Sequence, residues 1–233
     1  MNIKEMHYEL KKKLNKVDSQ QYKNLLVPEI DVALNEAQEL FVKMVAQPRL
    51  KSYLGFEKSQ RNIDDIRTIV VEELGWGVTN NIVTLPSDYW HYIKGSVHCT
   101  KAQCIDVPCR LFIRRHEEDF ENSPFDKSSF EWRHVNGLFN ENGIKLFTDN
   151  TFTINSVDLV YIRKLSYIHN AEDFGTGGYR LLSGILLSGT ENCELPDHTH
   201  REIIDIAALL LMGELQIPGV DQKVLKLNLN KLN

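Results

Sequence analysis

This chain has no apolar run long enough to cross a bilayer. Its longest, Ile203 to Met212, is about half of the roughly 20 residues a membrane helix needs and is broken by Asp205. The opening MNIKEMHYELKKKLNK lacks the apolar core of a signal peptide, which predicts a chain made in the cytoplasm. Cysteine is sparse: Cys99, Cys104, Cys109 and Cys193. A disulfide scaffold is therefore not expected, and free thiols are the default in a reducing compartment. Basic charge is not in excess, since 27 Lys and Arg face 32 Asp and Glu for a net charge of -5. Phosphate contacts dominate duplex affinity, so this balance argues against a protein whose main task is to grip DNA. The local exception is residues 1–16, where Lys4, Lys11, Lys12, Lys13 and Lys16 outnumber Glu5 and Glu9. The H-E-x-x-H, G-x-S-x-G and phosphate-loop patterns are all missing.

What is present is ordinary for a folded protein: 42% hydrophobic and 25% charged residues, in a length that suits one large domain or two small ones. Residues 4–14 carry Met6, Leu10 and Leu14 four apart, one apolar helical stripe. Asp18 and Ser19 are placed to cap a short turn over SQQYKNLL. The strongest helix is PEIDVALNEAQELFVKMVAQ, with Pro28 in a tolerated first-turn position and Pro48 as its stop. Its expected apolar face is Ile30, Ala33, Leu34, Ala37, Leu40, Phe41, Met44 and Val45, with Glu29, Asp31, Glu36 and Lys43 off that face. A shorter helix is expected from Asn62, carrying Ile63 and Ile66.

The middle changes period. IRTIVVEEL, NNIVTLP, SDYWHYIKGSVHC, VPCRLFIRR, FEWRHVNG, LFNENGIKLF and TFTINSVDLVYIRKLSYI are rich in β-branched and aromatic residues, predicting five to seven strands. Short connections make most of them antiparallel. Gly75, Gly77, Asn80 and Asn81 read as turns, Asn142–Gly143 as the sharpest hairpin signal, and Asp149–Asn150 as the next turn. HEEDFENSPF is a polar, acidic interruption in which Glu117, Glu118, Asp119 and Glu121 read as solvated. Residues 170–193 read as a glycine-containing loop excursion holding Gly175, Gly177 and Gly178. Helix returns over 194–217, where Thr199 and Glu202 match a capping box and Ile203, Ile204, Ile206, Ala207, Leu210, Leu211 and Leu215 form an apolar face that stops before Pro218 and Gly219. In the tail, 218–233, Leu225, Leu227 and Leu229 alternate with polar residues. That favours a strand or extended inter-subunit arm, although a helix capped by Asp221 also fits.

The expected architecture is α+β: N-terminal helices over 1–66 and a C-terminal helix over 194–217 packed together, with a mostly antiparallel β-rich region over 67–169 inserted between them. Three clusters are candidates for chemistry. Cys99, Cys104 and Cys109, beside His91 and His98, have loose zinc-ligand spacing, but small cysteines in strands more often pack as buried thiols. Asp197, His198, His200, Glu202 and Asp205 would serve a metal-dependent enzyme only if His198 and His200 converged. Residues two apart on a helix do not face each other, and a polar helix start needs these residue types anyway. Tyr89, Trp90, Tyr92 and Trp132 fit either the sheet core or an interface. Tyr89, Trp90 and Trp132 join Leu225, Leu227 and Leu229 as candidate inter-subunit contacts. No catalytic residue, metal or cofactor is expected.

LNEAQELFVKMVAQPR (34–49) resembles the N-terminal helix of head–tail connector adaptor proteins of short-tailed double-stranded DNA phages. VTLPSDYWHYIKGSV (83–97) and TFTINSVDLVYIRK (151–164) resemble the β region of that family, and ELPDHTHREIIDIAALLLMGEL (194–215) its closing helix. The likeness covers most of residues 1–217 and is nearest in flavour to the ring proteins of crAss-like phages. It implies a non-enzymatic virion protein, assembled in the host cytoplasm. Such proteins form a homo-oligomeric ring, usually about twelve-fold, stacked beneath the portal. The ring would extend the channel through which double-stranded DNA passes without sequence-specific binding, and would join further ring or tail proteins. No membrane is involved. The family pattern offers no counterpart for the cysteine-rich strand region.

Overall fold

A computed structural model describes residues 1–15, 25–46, 64–118 and 125–214. The chain divides into two compact units, one made of Met1–Thr68 and Leu165–Asn233, the other of Ile69–Lys164. Asp18, Ser19, Pro48, Asn62, Ile63, Asp119, Glu121, Leu215, Pro218, Gly219 and the tail leucines Leu225, Leu227 and Leu229 lie outside the described residues.

The first unit is built on three helices: α1 (Ile3–Asn15), α2 (Val27–Ala46) and α3 (His200–Glu214). A reciprocal capping box starts α1, with the Glu5 amide donating to Asn2 Oδ1 and the Asn2 amide to Glu5 Oε2, at 2.8 and 3.1 Å. At the head of α2, Glu29 Oε2 takes the Leu26 amide at 2.9 Å. The apolar stripe of α1 buries Ile3, Met6, Leu10 and Leu14, and both α1 and α2 pack on α3. On α3 the buried face is Ile203, Ile204, Ile206, Ala207, Ala208, Leu211 and Met212. The first and last helices among the described residues thus share one core, as the apolar periodicity required. A 3-10 turn, Asp197–Thr199, leads into α3, and the Thr199 hydroxyl donates to the Pro196 carbonyl.

The buried face of α2 is rotated from expectation. Asp31, Asn35, Gln38 and Val42 are buried, whereas Leu40 and Met44 sit at the exposed margin. The reason is a polar stripe at i, i+4 and i+7 facing the extended segment 166–170. Asn35 Nδ2 donates to the Ile168 carbonyl at 2.7 Å while the Ile168 amide donates back to Asn35 Oδ1 at 3.0 Å. Gln38 Nε2 donates to the Ser166 carbonyl at 3.0 Å. The helix satisfies strand-like backbone that no strand among the described residues pairs on that side. The 170–193 region, expected as a loop, carries short ladders instead. β8 (His169–Asn170) pairs with β11 (Thr190–Glu191), and β9 (Gly178–Arg180) forms a hairpin with β10 (Leu186–Ser188).

The second unit is a seven-stranded sheet in the order β1-β7-β3-β4-β5-β6-β2, formed by β1 (Val70–Gly77), β2 (Ile82–Val83), β3 (Tyr89–Lys101), β4 (Cys104–Arg114), β5 (His134–Asn140), β6 (Gly143–Phe147) and β7 (Thr153–Arg163). All neighbouring pairs are antiparallel except β4 with β5, which a long connection makes parallel. A flat sheet of this size would be roughly 29 Å wide at about 4.8 Å per strand step. Yet its two edge strands, β1 and β2, are joined by Val78–Asn81 alone, a link that reaches at most about 17 Å fully extended. Asn80 and Asn81 shorten it further by adopting φ of 52° and 60° in a tight turn, and the Asn81 carbonyl accepts the Leu146 amide of β6 at 2.7 Å.

The sheet must therefore curl on itself. Its single interior confirms this, because every strand contributes: Val71, Val83, Val97, Cys109, Val135, Ile144 and Leu159, among others, meet in one cluster. Gly137 sits where a Cβ would press to 3.0 Å on both Ile144 and Leu111, so the curl needs a missing side chain there. Gly143 closes the β5–β6 hairpin after Glu141 and Asn142, at φ +135°, with Val83 of β2 packed against its backbone. Gly75, expected as a turn, instead marks a bulge inside β1, where its amide is captured by Asp158 Oδ1 at 2.9 Å.

Candidate interaction site

Strand alternation separates the cysteine cluster. Cys99 and Cys109 point into the interior of the curled sheet, while Cys104 at the β3–β4 turn is exposed, contrary to the expectation of buried thiols throughout. Burial pushes the Cys99 thiol up to about 12 and the Cys193 thiol, in the helical unit, up to about 11. His98, one residue from Cys99, lies on the opposite face as the period-two rule demands. There its Nε2 donates to Asp158 Oδ2 at 2.8 Å, with Ser96 on the same carboxylate at 3.2 Å and Asp106 3.5 Å from Nδ1.

The histidines of the helical unit do not converge either. His198 Nε2 donates to Asp65 Oδ1 at 2.7 Å, whereas His200 is buried and its Nε2 donates to the Leu195 carbonyl at 2.8 Å. Burial holds the His200 imidazole below its ordinary value. Among the described residues no group of three or more His, Cys, Asp or Glu is arranged to hold a metal ion.

The aromatic candidates part ways. Tyr89 packs against the interior of the curled sheet, its ring 5.7 Å from Tyr161 and 6.3 Å from Phe139. Trp90 is half-buried and stacks on His91. Trp132, by contrast, is 81% exposed and stands beside Phe125, 92% exposed, at a groove of about 580 Å³ on the outer face of β4 and β5.

Local chemistry explains how that groove is held open. The alternation of β4 sends Cys109, Leu111 and Ile113 inward and Arg110, Phe112 and Arg114 outward. The Arg114 guanidinium lies 5.9 Å from the Phe112 ring centre, and its Nε donates to Asn136 Oδ1 at 3.2 Å. Asn136, buried in β5, also donates its side-chain amide to the Asp126 carbonyl at 2.6 Å and its backbone amide to Ser128 Oγ at 2.9 Å, so the loop before β5 is pinned from beneath.

The Trp132 turn is equally fixed, through reciprocal bonds between Ser129 and His134 and an Arg133 amide bound to Phe130. Arg133 itself holds φ +51°, a left-handed conformation that costs a non-glycine residue about 1–2 kcal/mol. The strain is tolerated because its carbonyl takes the Arg110 amide at 2.8 Å. Arg114 pairs with Asp126 at 3.8 Å, but Arg110 and Arg133 are exposed and have no carboxylate partner among the described residues.

Of the residues lining this groove, the sequence singled out Trp132 as an interface candidate and Cys109 as a candidate zinc ligand. The signal for the rest was Arg110-x-Phe112-x-Arg114, a period-two repeat of large cationic and aromatic side chains on a strand face that should be bland. No protein-family model and no curated protein matches the chain.

Proposed function

We propose that the chain is a non-catalytic virion protein, a subunit of the ring that sits below the portal of a short-tailed phage. In this reading the ring extends the DNA channel and joins the capsid to the tail. Its partners are its own copies, about twelve in a ring closed by one repeated heterologous contact, then the portal and further ring or tail proteins. Double-stranded DNA passes through without sequence-specific binding. The protein would belong to the neck or tail of the particle, after assembly in the host cytoplasm, with no membrane stage. Among the described residues no helix is long and apolar enough to cross a membrane.

The observation that carries the reading is large apolar side chains displayed on well-tied elements of both units. Trp132 and Phe125 rim the sheet-unit groove, while Leu182, 111% exposed, stands with Ile185 and Leu186 on the β9–β10 hairpin. Surfaces of this kind mark contacts completed by another protein. The α+β arrangement, with N- and C-terminal helices packed together and a sheet region inserted between them in sequence, also fits the resemblance. Mixing the purified protein with its portal and counting subunits by negative-stain imaging tests the proposal. Rings stacked on the portal are expected, and failure to bind the portal or any other virion protein overturns it.

A further inference from the structure

We infer that the Arg110–Trp132 groove is one half of the contact between neighbouring copies, and that it receives edge strand β1 of a second copy through Glu72, Glu73 and Leu74. This rests on the ring reading above and names the surfaces that would close the ring. The groove offers two exposed guanidinium groups, Arg110 and Arg133, with no carboxylate partner among the described residues, between exposed aromatic rings. Planar cations next to Trp are the usual anchors of protein interfaces, and they call for carboxylates flanking an apolar side chain.

The same chain displays that combination elsewhere on the same unit. Among the described residues β1 is an edge strand, hydrogen-bonded only to β7. Glu72 is exposed, Glu73 is half-buried at the rim, and neither has an ion-pair partner among the described residues. Leu74, next in sequence, is 71% exposed, and the bulge between Glu73 and Trp76 lifts this stretch out of regular pairing. By strand alternation Glu72 and Leu74 project from the outer face while Glu73 turns to the face of Val71 at the rim, so this edge offers two carboxylates flanking the strand and an exposed leucine to the two guanidinium groups and exposed rings of the groove.

Topology makes the match intermolecular. In the sheet order β7 and β3 lie between β1 and β4, so in a curled seven-stranded sheet the two surfaces face different directions. One copy can give β1 to its neighbour on one side while receiving β1 from its neighbour on the other. Such a head-to-tail contact propagates, and it closes when the rotation permits. A two-fold dimer would not use the surfaces in this way.

Reciprocal charge reversal tests the inference, with assembly on the portal read by sedimentation and negative stain. Arg110→Glu with Arg133→Glu is expected to lower the assembled fraction by at least about tenfold, and so is Glu72→Arg with Glu73→Arg. Mixing the two variants lets a reversed groove meet a reversed β1 and a native groove meet a native β1, so a head-to-tail ring in which the two alternate is complementary at every contact and the mixture is expected to regain assembly. The quadruple variant, in which every contact is again complementary, is expected to recover assembly. Circular dichroism and melting confirm that each variant is folded. If the folded quadruple variant stays unassembled, or if either double variant assembles like the parent, the inference is overturned while the ring reading stands. A parent protein that never self-associates on the portal overturns both. Retention of a labelled single-stranded oligonucleotide by the parent, lost in the arginine variant, with assembly indifferent to Glu72 and Glu73, would reassign the groove to nucleic acid.

Discussion

Asp31 is fully buried on α2, and its carboxylate is surrounded by donors: His7 Nε2 at 2.7 Å, the Tyr179 hydroxyl at 2.7 Å and the Asn170 amide at 3.1 Å. Periodicity placed this residue off the apolar face, because its partners are 139 and 148 residues away in sequence and no local pattern reveals them. Truncating Asp31 to alanine strands three donors, and denaturant melts should show a loss of about 3–5 kcal/mol. The thiols give a second residue-scale test. A maleimide applied to native protein should modify Cys104, while Cys99, Cys109 and Cys193 react only on unfolding, as peptide mapping would show.

His98 supplies a pH dependence. The hydrogen bond to Asp158 holds its imidazole above the ordinary 6.5 despite some burial. Burial pushes the Asp158 carboxyl up, but the Gly75 amide, His98 and Ser96 outweigh it and hold the group below 3.8. The raised histidine stabilises fully below its unfolded value and loses that contribution as pH climbs through its folded value. The depressed carboxylate stabilises above 3.8 and loses its contribution as pH falls through its folded value. Melting temperatures should therefore fall from mildly acidic to alkaline solution in the parent and stay flatter in His98→Gln. Parallel curves would remove the pair from the account.

At the scale of elements, much of the sheet was readable because alternation and turn residues are local. All seven strands fall in segments rich in β-branched and aromatic residues, and Asn80–Asn81 adopts the left-handed geometry its composition allows. The parallel β4–β5 pair was not readable, since nothing in either strand encodes its partner's direction. The ladders within 170–193 were hidden because glycine and polar residues mask two- and three-residue strands. The rotation of α2 was hidden because Asn35 and Gln38 are buried by pairing with backbone rather than by apolarity. Gly143 tests the closure of the sheet. A Cβ there would stand 2.0 Å from the Val83 carbonyl at an unfavourable φ. Gly143→Ala should therefore displace β2 and cost at least about 1–3 kcal/mol, read as weakened amide protection at Ile82 and Val83 in hydrogen exchange.

For the whole molecule, the α+β layout was legible from the order helix, sheet, helix, whereas the groove on β4 and β5 was not, because it depends on which strands become neighbours. Replacing Leu182 and Ile185 by serine removes apolar surface that no fold contact covers. Monomer melting should stay within about 0.5 kcal/mol of the parent, while co-sedimentation with portal or tail proteins should drop. Unchanged co-sedimentation would assign that hairpin no part in assembly. A further consequence lies in the pairing of Val70 with Ile162. The chain enters and leaves the sheet unit on adjacent strands, about 5 Å apart. During synthesis the ribosome therefore releases a finished insert before α3 has been made. Until residues 200–214 emerge, α1 and α2 wait with their greasy sides uncovered, so the nascent chain is most vulnerable to misassociation in its oldest part rather than its newest.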